Sequence, residues 1–385
     1  MSAAAIDGLL RRAVDDGAVP GVVALAATDR GLLYQGAFGH RVLPDGPAMS
    51  LDTVFRIASM TKAVTSVAAL QLVEAGKLTL DGPLPDIDPA LSRPQVLDGF
   101  DAAGDPILRP ARRPITLRHL LTHTAGFAYE AWNASLKRYV AATGTPALAS
   151  GRLAALRLPL VFDPGERWEY GINTDWVGRL VEAAAGQSLD AYVRDRIAGP
   201  LGMDDTAFSP SPGMRARQAA VHQRRAHGGL APQPLEPLPE PEFWAGGGGL
   251  YSTAGDYLKF LAMLRDGGAG ILRRETVARL GENHTGGLQA GIMKTVQPER
   301  SADVDFFPGL PARWGLATLI NLAPGPHGRS PGSLSWAGLF NTYYWLDPAR
   351  RLIATIMTQI LPFAEPRAVA LYGAFERHLY AALDG

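Results

Sequence analysis

The chemistry in this chain is concentrated in Ser59-Met60-Thr61-Lys62. A hydroxyl and an amine three residues apart fall on one face of a helix. Ser59 follows the strand-like Thr53-Val54-Phe55-Arg56-Ile57 and opens an apolar segment read as helical to about Ala75, with Gly76 just past its end. At a helix start, free backbone N–H groups stabilise negative charge that develops nearby. An amine within reach can polarise the hydroxyl, or take its proton once burial or another cation lowers the amine pKa. The S-x-x-K spacing is therefore that of a nucleophile and its base. Four residues alone fit an N-cap serine and a solvated first-turn lysine at least as well. The rest of the chain has to carry the reading.

Further blocks follow in order. Leu120-Leu121-Thr122-His123-Thr124-Ala125-Gly126 comes first, then Glu169-Tyr170-Gly171-Ile172-Asn173. Gly247-Gly248-Gly249-Leu250-Tyr251-Ser252-Thr253 and Ser335-Trp336-Ala337-Gly338-Leu339 complete the set. Together with Ser59 and Lys62 these blocks resemble the class C β-lactamase and penicillin-binding-protein superfamily, and within it the family VIII carboxylesterases. The resemblance runs through nearly the whole chain.

It implies a Ser59, Lys62 and Tyr170 catalytic set in which Ser59 forms an acyl-enzyme and Tyr170 relays protons beside Lys62. A phenol needs a neighbouring cation before its anion is accessible, and Lys62 could supply one, the two titrating as a coupled unit. The oxyanion hole would be the N–H of Ser59 and, by the resemblance, that of Leu339. Substrate would meet Trp336, Ala337 and Gly338, the glycine letting the strand approach it without a Cβ. β-Lactamases carry Lys-Thr-Gly where this chain has Trp-Ala-Gly, and Tyr-x-Asn where Asn173 falls one residue late. The first departure points to neutral esters, and both point to weak or absent β-lactamase activity. Tyr129, Trp132, Phe243 and Trp244 are expected pocket-lining groups. The expected activity is a carboxylesterase for short-chain or aromatic esters. Alternatives are an acyltransferase using the same acyl-enzyme, a β-lactamase or D-aminopeptidase-type peptidase, or a slow covalent binder.

Rival sites are weaker. Gly328-Arg329-Ser330-Pro331-Gly332 has the letters of a nucleophile elbow, but Pro331 has no N–H for an oxyanion, so Ser330 reads as a loop residue. His119 and His123 have i,i+4 spacing without an acidic third ligand, and no metal or other cofactor is expected. His123 reads as scaffold rather than triad base. The Gly246–Gly249 run lacks the Lys-Ser/Thr of a phosphate loop and reads as flexible backbone beside a cleft. The 385 residues carry 37 basic and 37 acidic side chains, so no imbalance points to nucleic acid or an anionic membrane. The chain has no cysteine, which excludes disulfides and thiol chemistry. Neither a secretory signal nor a spanning apolar run is visible, which leads to an expectation of a cytoplasmic enzyme with a small-molecule ester as partner.

The elements that must position these groups have a plain pattern. Helix is expected over 6–14, 115–122, 174–185, 188–198, 253–265 and 365–383. A hairpin is expected over 22–38, and single strands over 314–321, 333–346 and 352–359. Strands at both ends with helices between predict an α+β, β-lactamase-like fold. An antiparallel sheet lobe (1–80 and 246–385) would be flanked by terminal helices. A mostly helical lobe (81–245) would be inserted, with a stiff five-proline loop at 231–242.

Overall fold

The computed structural model describes residues 3–226, 228–233 and 240–384. Its centre is a seven-stranded sheet whose neighbours are all antiparallel. The strands are β1 (Gly21–Thr28), β2 (Gly31–Gly39), β3 (Ala312–Trp314), β4 (Leu319–Asn321), β5 (Leu334–Gly338), β6 (Thr342–Asp347) and β7 (Leu352–Met357). They lie in the order β2-β1-β7-β6-β5-β4-β3. The N-terminal hairpin thus pairs through β1 with β7, Val23 opposite Met357 and Ala27 opposite Ile353. Both ends of the chain build one sheet. The fold is α+β and β-lactamase-like.

Strand alternation sends successive side chains to opposite faces. On β6, Tyr343 stacks on Tyr372 at 4.4 Å and Trp345 meets Phe375, both in the terminal helix Pro366–Asp384. Tyr344, between them, points the other way and packs on Tyr257 at 5.1 Å. Tyr257 lies in the helix Ala254–Arg265, which backs β7 and β1. The N-terminal helix Ala3–Asp15 packs beside the terminal helix and β2.

The helix Thr61–Glu74 is the innermost. Every residue from Thr61 to Leu70 is buried, so it has no polar face and must be surrounded by protein. It packs against Asn173–Ala185 from the inserted stretch. Ser59 itself sits just ahead of it, in a single 3₁₀ turn, Ala58–Met60, with the preceding Ala58 at φ 43°. A left-handed non-glycine residue is strained and has to be held by its surroundings.

Several boundaries differ from expectation. The 333–346 strand is a hairpin, β5 and β6, turning at Asn341 with φ 60°. The 314–321 strand is likewise a turn, between β3 and β4. The 188–198 helix continues past Val193 as a π-helical turn, Arg194–Ala198. The middle stretch also holds an unforeseen hairpin, Gln95–Phe100 with Pro106–Pro110, and a helix, Ala134–Thr143. Of the proline-rich 231–242, residues 234–239 lie outside those described; Leu230–Pro232 is a short strand paired with His222–Arg224.

Candidate active site

Lys62 is only 1% exposed, while Ser59 is half-buried and in reach of solvent. The amine donates to Ser59 Oγ at 3.2 Å, Tyr129 Oη at 3.0 Å and the Gly247 carbonyl at 2.6 Å. Three acceptors match the three N–H bonds of an ammonium. A neutral amine keeps two N–H bonds and turns its lone pair to a partner that can donate. Gly247 O cannot donate, so the lone pair falls on a hydroxyl, Ser59 or Tyr129. Burial pulls the Lys62 amine down to about 7, the nearby Asp175 carboxylate opposing. The neutral amine is accessible at ordinary pH.

Tyr170 is 4% exposed, and the neighbouring Ser59 side chain favours its phenolate. Its Oη accepts the Trp336 indole N–H at 2.8 Å. An indole can only donate, so the phenol proton stays free for Ser59 or a leaving group. Burial raises the Tyr170 phenol, while Ser59 and the bond from Trp336 pull it back. Lys62 Nζ also lies 4.8 Å from the centre of the Tyr170 ring. Trp132, Tyr129, His123 and Trp336 surround that ring at 4.8–5.6 Å.

The strand-end residues take particular places. Trp336 is 3% exposed and reaches the site through Tyr170. Ala337 pairs with Tyr343 and shares its face, away from Trp336, so only its backbone is on offer to a substrate. Gly338 is glycine for a reason other than a ligand: an added Cβ would collide with Ile57 O and Thr342 Oγ1. That contact presses β5 against the Ala58–Met60 turn, and half-buried Leu339 follows next in the chain.

The glycine run is likewise packed, not loose. A Cβ at Gly246 would strike Thr174 O and Thr65, and one at Gly247 would strike the Asp175 carboxylate. Thr65 Oγ1 donates to Gly246 O at 2.8 Å, and the Gly247 N–H donates to Asp175 Oδ1 at 2.9 Å. Asp175 is a buried neighbour of this site that the sequence concealed. An acid in a helix first turn ordinarily reads as a response to the helix dipole.

Of the expected lining groups, Tyr129 and Trp132 stand beside Tyr170, whereas Phe243 is buried and Trp244 packs on Phe208. Asn173 is turned inward, its amide donating to Phe127 O at 3.3 Å and meeting His123 Nδ1 at 3.0 Å. Burial and then the Lys62 charge push His123 well below the ordinary histidine range, so it is neutral. His119 caps the short helix Leu117–Leu121, its Nδ1 accepting the Thr116 N–H. Ser330 is tied into its turn, its N–H on Asp347 Oδ2 at 2.9 Å. Among the described residues no His, Asp or Glu cluster is arranged to hold a metal, and no helix is long and apolar enough to cross a membrane.

Residues 6–378 match the beta-lactamase family. The chain belongs to that family. Like its relatives it is an enzyme of the serine-hydrolase type. It is 34% identical over 96% of its length to monacolin J acid methylbutanoyltransferase of Aspergillus terreus, covering 94% of that protein. It is 31% identical to lovastatin esterase of Penicillium rubens, with 97% and 98% of the two chains covered. The solved structure of unliganded simvastatin synthase (LovD) from Aspergillus terreus superposes with a TM-score of 0.86 at 32% identity, covering all of this chain and 99% of the other.

Proposed function

We propose that this beta-lactamase-family protein is a serine acyltransferase, moving a short acyl group from an activated ester or thioester to an alcohol. Hydrolysis of the same acyl-enzyme would be its competing reaction. The observation that carries the reading is the Lys62 amine, dry and partly neutral, 3.2 Å from Ser59 Oγ. Transfer is preferred over the carboxylesterase reading because relatives matched over nearly their whole length are named as an acyl transferase and a synthase. The lovastatin esterase supports hydrolysis as the second reading.

Ser59 Oγ attacks the donor carbonyl while its proton passes to the Lys62–Tyr170 unit. The oxyanion is held by the N–H groups of Ser59 and Leu339. As the tetrahedral species collapses, the Tyr170 proton goes to the leaving group, and the acyl group stays on Ser59. An incoming alcohol then gives its proton back to the same unit and takes the acyl group. The crevice between 81–245 and the sheet-bearing segments, 1–80 and 246–385, is the route by which donor and acceptor enter. With Trp336 where β-lactamases have lysine, no cation awaits a β-lactam carboxylate there, and nitrocefin turnover is expected to be slow.

The test gives the protein butyryl p-nitrophenyl ester and a butyryl thioester in turn, each with rising concentrations of an apolar alcohol. The reading expects butyrate ester to replace butyrate, with the same ester-to-acid ratio from both donors at each alcohol concentration. Butyrate alone at every concentration would make the protein a plain esterase. Ratios that depend on the donor would mean that no common acyl-enzyme forms.

A further inference from the structure

The acyl-transfer scheme leaves one buried carboxyl near the nucleophile without a task, Asp175, which burial raises while Lys62 and the Gly247 N–H pull it back toward the carboxylate. Asp175 is fully buried in the first turn of Asn173–Ala185. Its Oδ1 accepts the Gly247 N–H at 2.9 Å, and its Oδ2 has no hydrogen-bond partner among the described residues. From the other side, the Lys62 amine sits on the Gly247 carbonyl at 2.6 Å. One glycine is thus gripped between a carboxylate and an amine, with no room for a side chain.

The other polar groups facing this pair are Ser59, Tyr129, Tyr170 and His123. Burial raises both phenols, and the histidine is neutral, so none of them carries a resting charge. A buried ammonium with no anion nearby is costly, and a buried ammonium touching one does not let its proton go. Asp175 stands between these limits, acting across a glycine. We propose that Asp175 is a positioning residue that sets the charge state of Lys62, fixing the Gly247 carbonyl on the amine while its field keeps the ammonium form available. The assignment deepens the acyl-transfer reading and rests on it.

A neutral residue at 175 removes the field that favours the ammonium, so Lys62 loses its proton at lower pH. The acid limb of kcat/KM in Asp175→Asn and Asp175→Ser should therefore move down by about half a pH unit or more. The same displacement should appear in the second-order rate of Ser59 labelling by a p-nitrophenyl phosphonate, which needs no turnover. Thr65→Val is the counter-test: it removes the Thr65 bond to Gly246 O, loosening the same glycine run without touching charge. That variant should slow the reaction with its limb in place. Coincident limbs in wild type and both neutral variants would overturn the proposal, as would an equal displacement in Thr65→Val. Two variants at 175 allow the test to proceed where one fails to fold. Labelling of Ser59→Ala at the wild-type rate would instead overturn the underlying acyl-transfer reading.

Discussion

Among the described residues two lysine or arginine cations are fully buried, one on each face of the sheet, and they have opposite fates. Lys62 is 1% exposed and Arg329 2% exposed, and both lie against aromatic rings. Arg329 holds Glu376 directly, at 2.6 and 3.2 Å, and donates to Tyr372 Oη at 2.6 Å. Burial pulls Arg329 down, but Glu376 outweighs it and keeps the guanidinium charged. Lys62 meets only hydroxyls and a carbonyl, with Asp175 one residue removed, and it falls to about 7. The same burial leaves a fixed, charged strut where the carboxylate touches the cation and an amine able to lose its proton where it does not.

The largest effect should come from Ser59→Ala, which lowers kcat/KM for acyl transfer by at least about 10³-fold. Its decoy control, Ser330→Ala, should stay within about two-fold of wild type in the same assay. Lys62→Met separates the two cations on stability. The lysine side chain falls from 10.5 to about 7 on folding, so its charge opposes folding below 10.5, most fully below 7. Removing it should abolish transfer, yet the variant should gain stability on wild type as pH falls through that window. The gain approaches about 4–5 kcal/mol in urea melts, before the loss of the three hydrogen bonds is counted. A variant that does not gain toward pH 7 would place a charged, well-compensated lysine in the fold. Glu376→Ala makes the opposite cut: it strands Arg329 and should lower the unfolding free energy by about 3–5 kcal/mol, with kcat/KM of the folded enzyme little changed. A large loss of activity at unchanged stability would join the two faces functionally. Among the site residues the smallest effect is for Trp336→Phe, which keeps the ring and removes the donor to Tyr170. A cost of about ten-fold in kcat/KM is expected, with the basic limb of the pH profile moving upward because that bond favours the phenolate.

The same contrast explains what the sequence could reveal. Ser59 and Lys62 were legible because their spacing is local, Tyr170 because the ordered blocks around it resemble a known family, and the terminal strands because β-branched and aromatic runs are local. Asp175, the strut at Arg329, and the bond from Trp336 to Tyr170 depend on contacts between residues tens to hundreds of positions apart, which no local pattern encodes. The β5–β6 turn was missed because Asn341 takes the left-handed conformation without a glycine. The glycine run was misread for a related reason. Glycine serves flexibility and close approach equally well, and only the packed neighbours Thr65, Thr174 and Asp175 distinguish the two.

Acyl transfer by this scheme requires Lys62 to lose its proton near neutral pH. The chain has five lysines, so ¹³Cε-lysine labelling with Lys62→Met for assignment isolates its signal. A single lysine signal that titrates near 7 and is absent from the variant is the expected result. A Lys62 resonance that titrates near the ordinary lysine value of 10.5 would contradict the scheme.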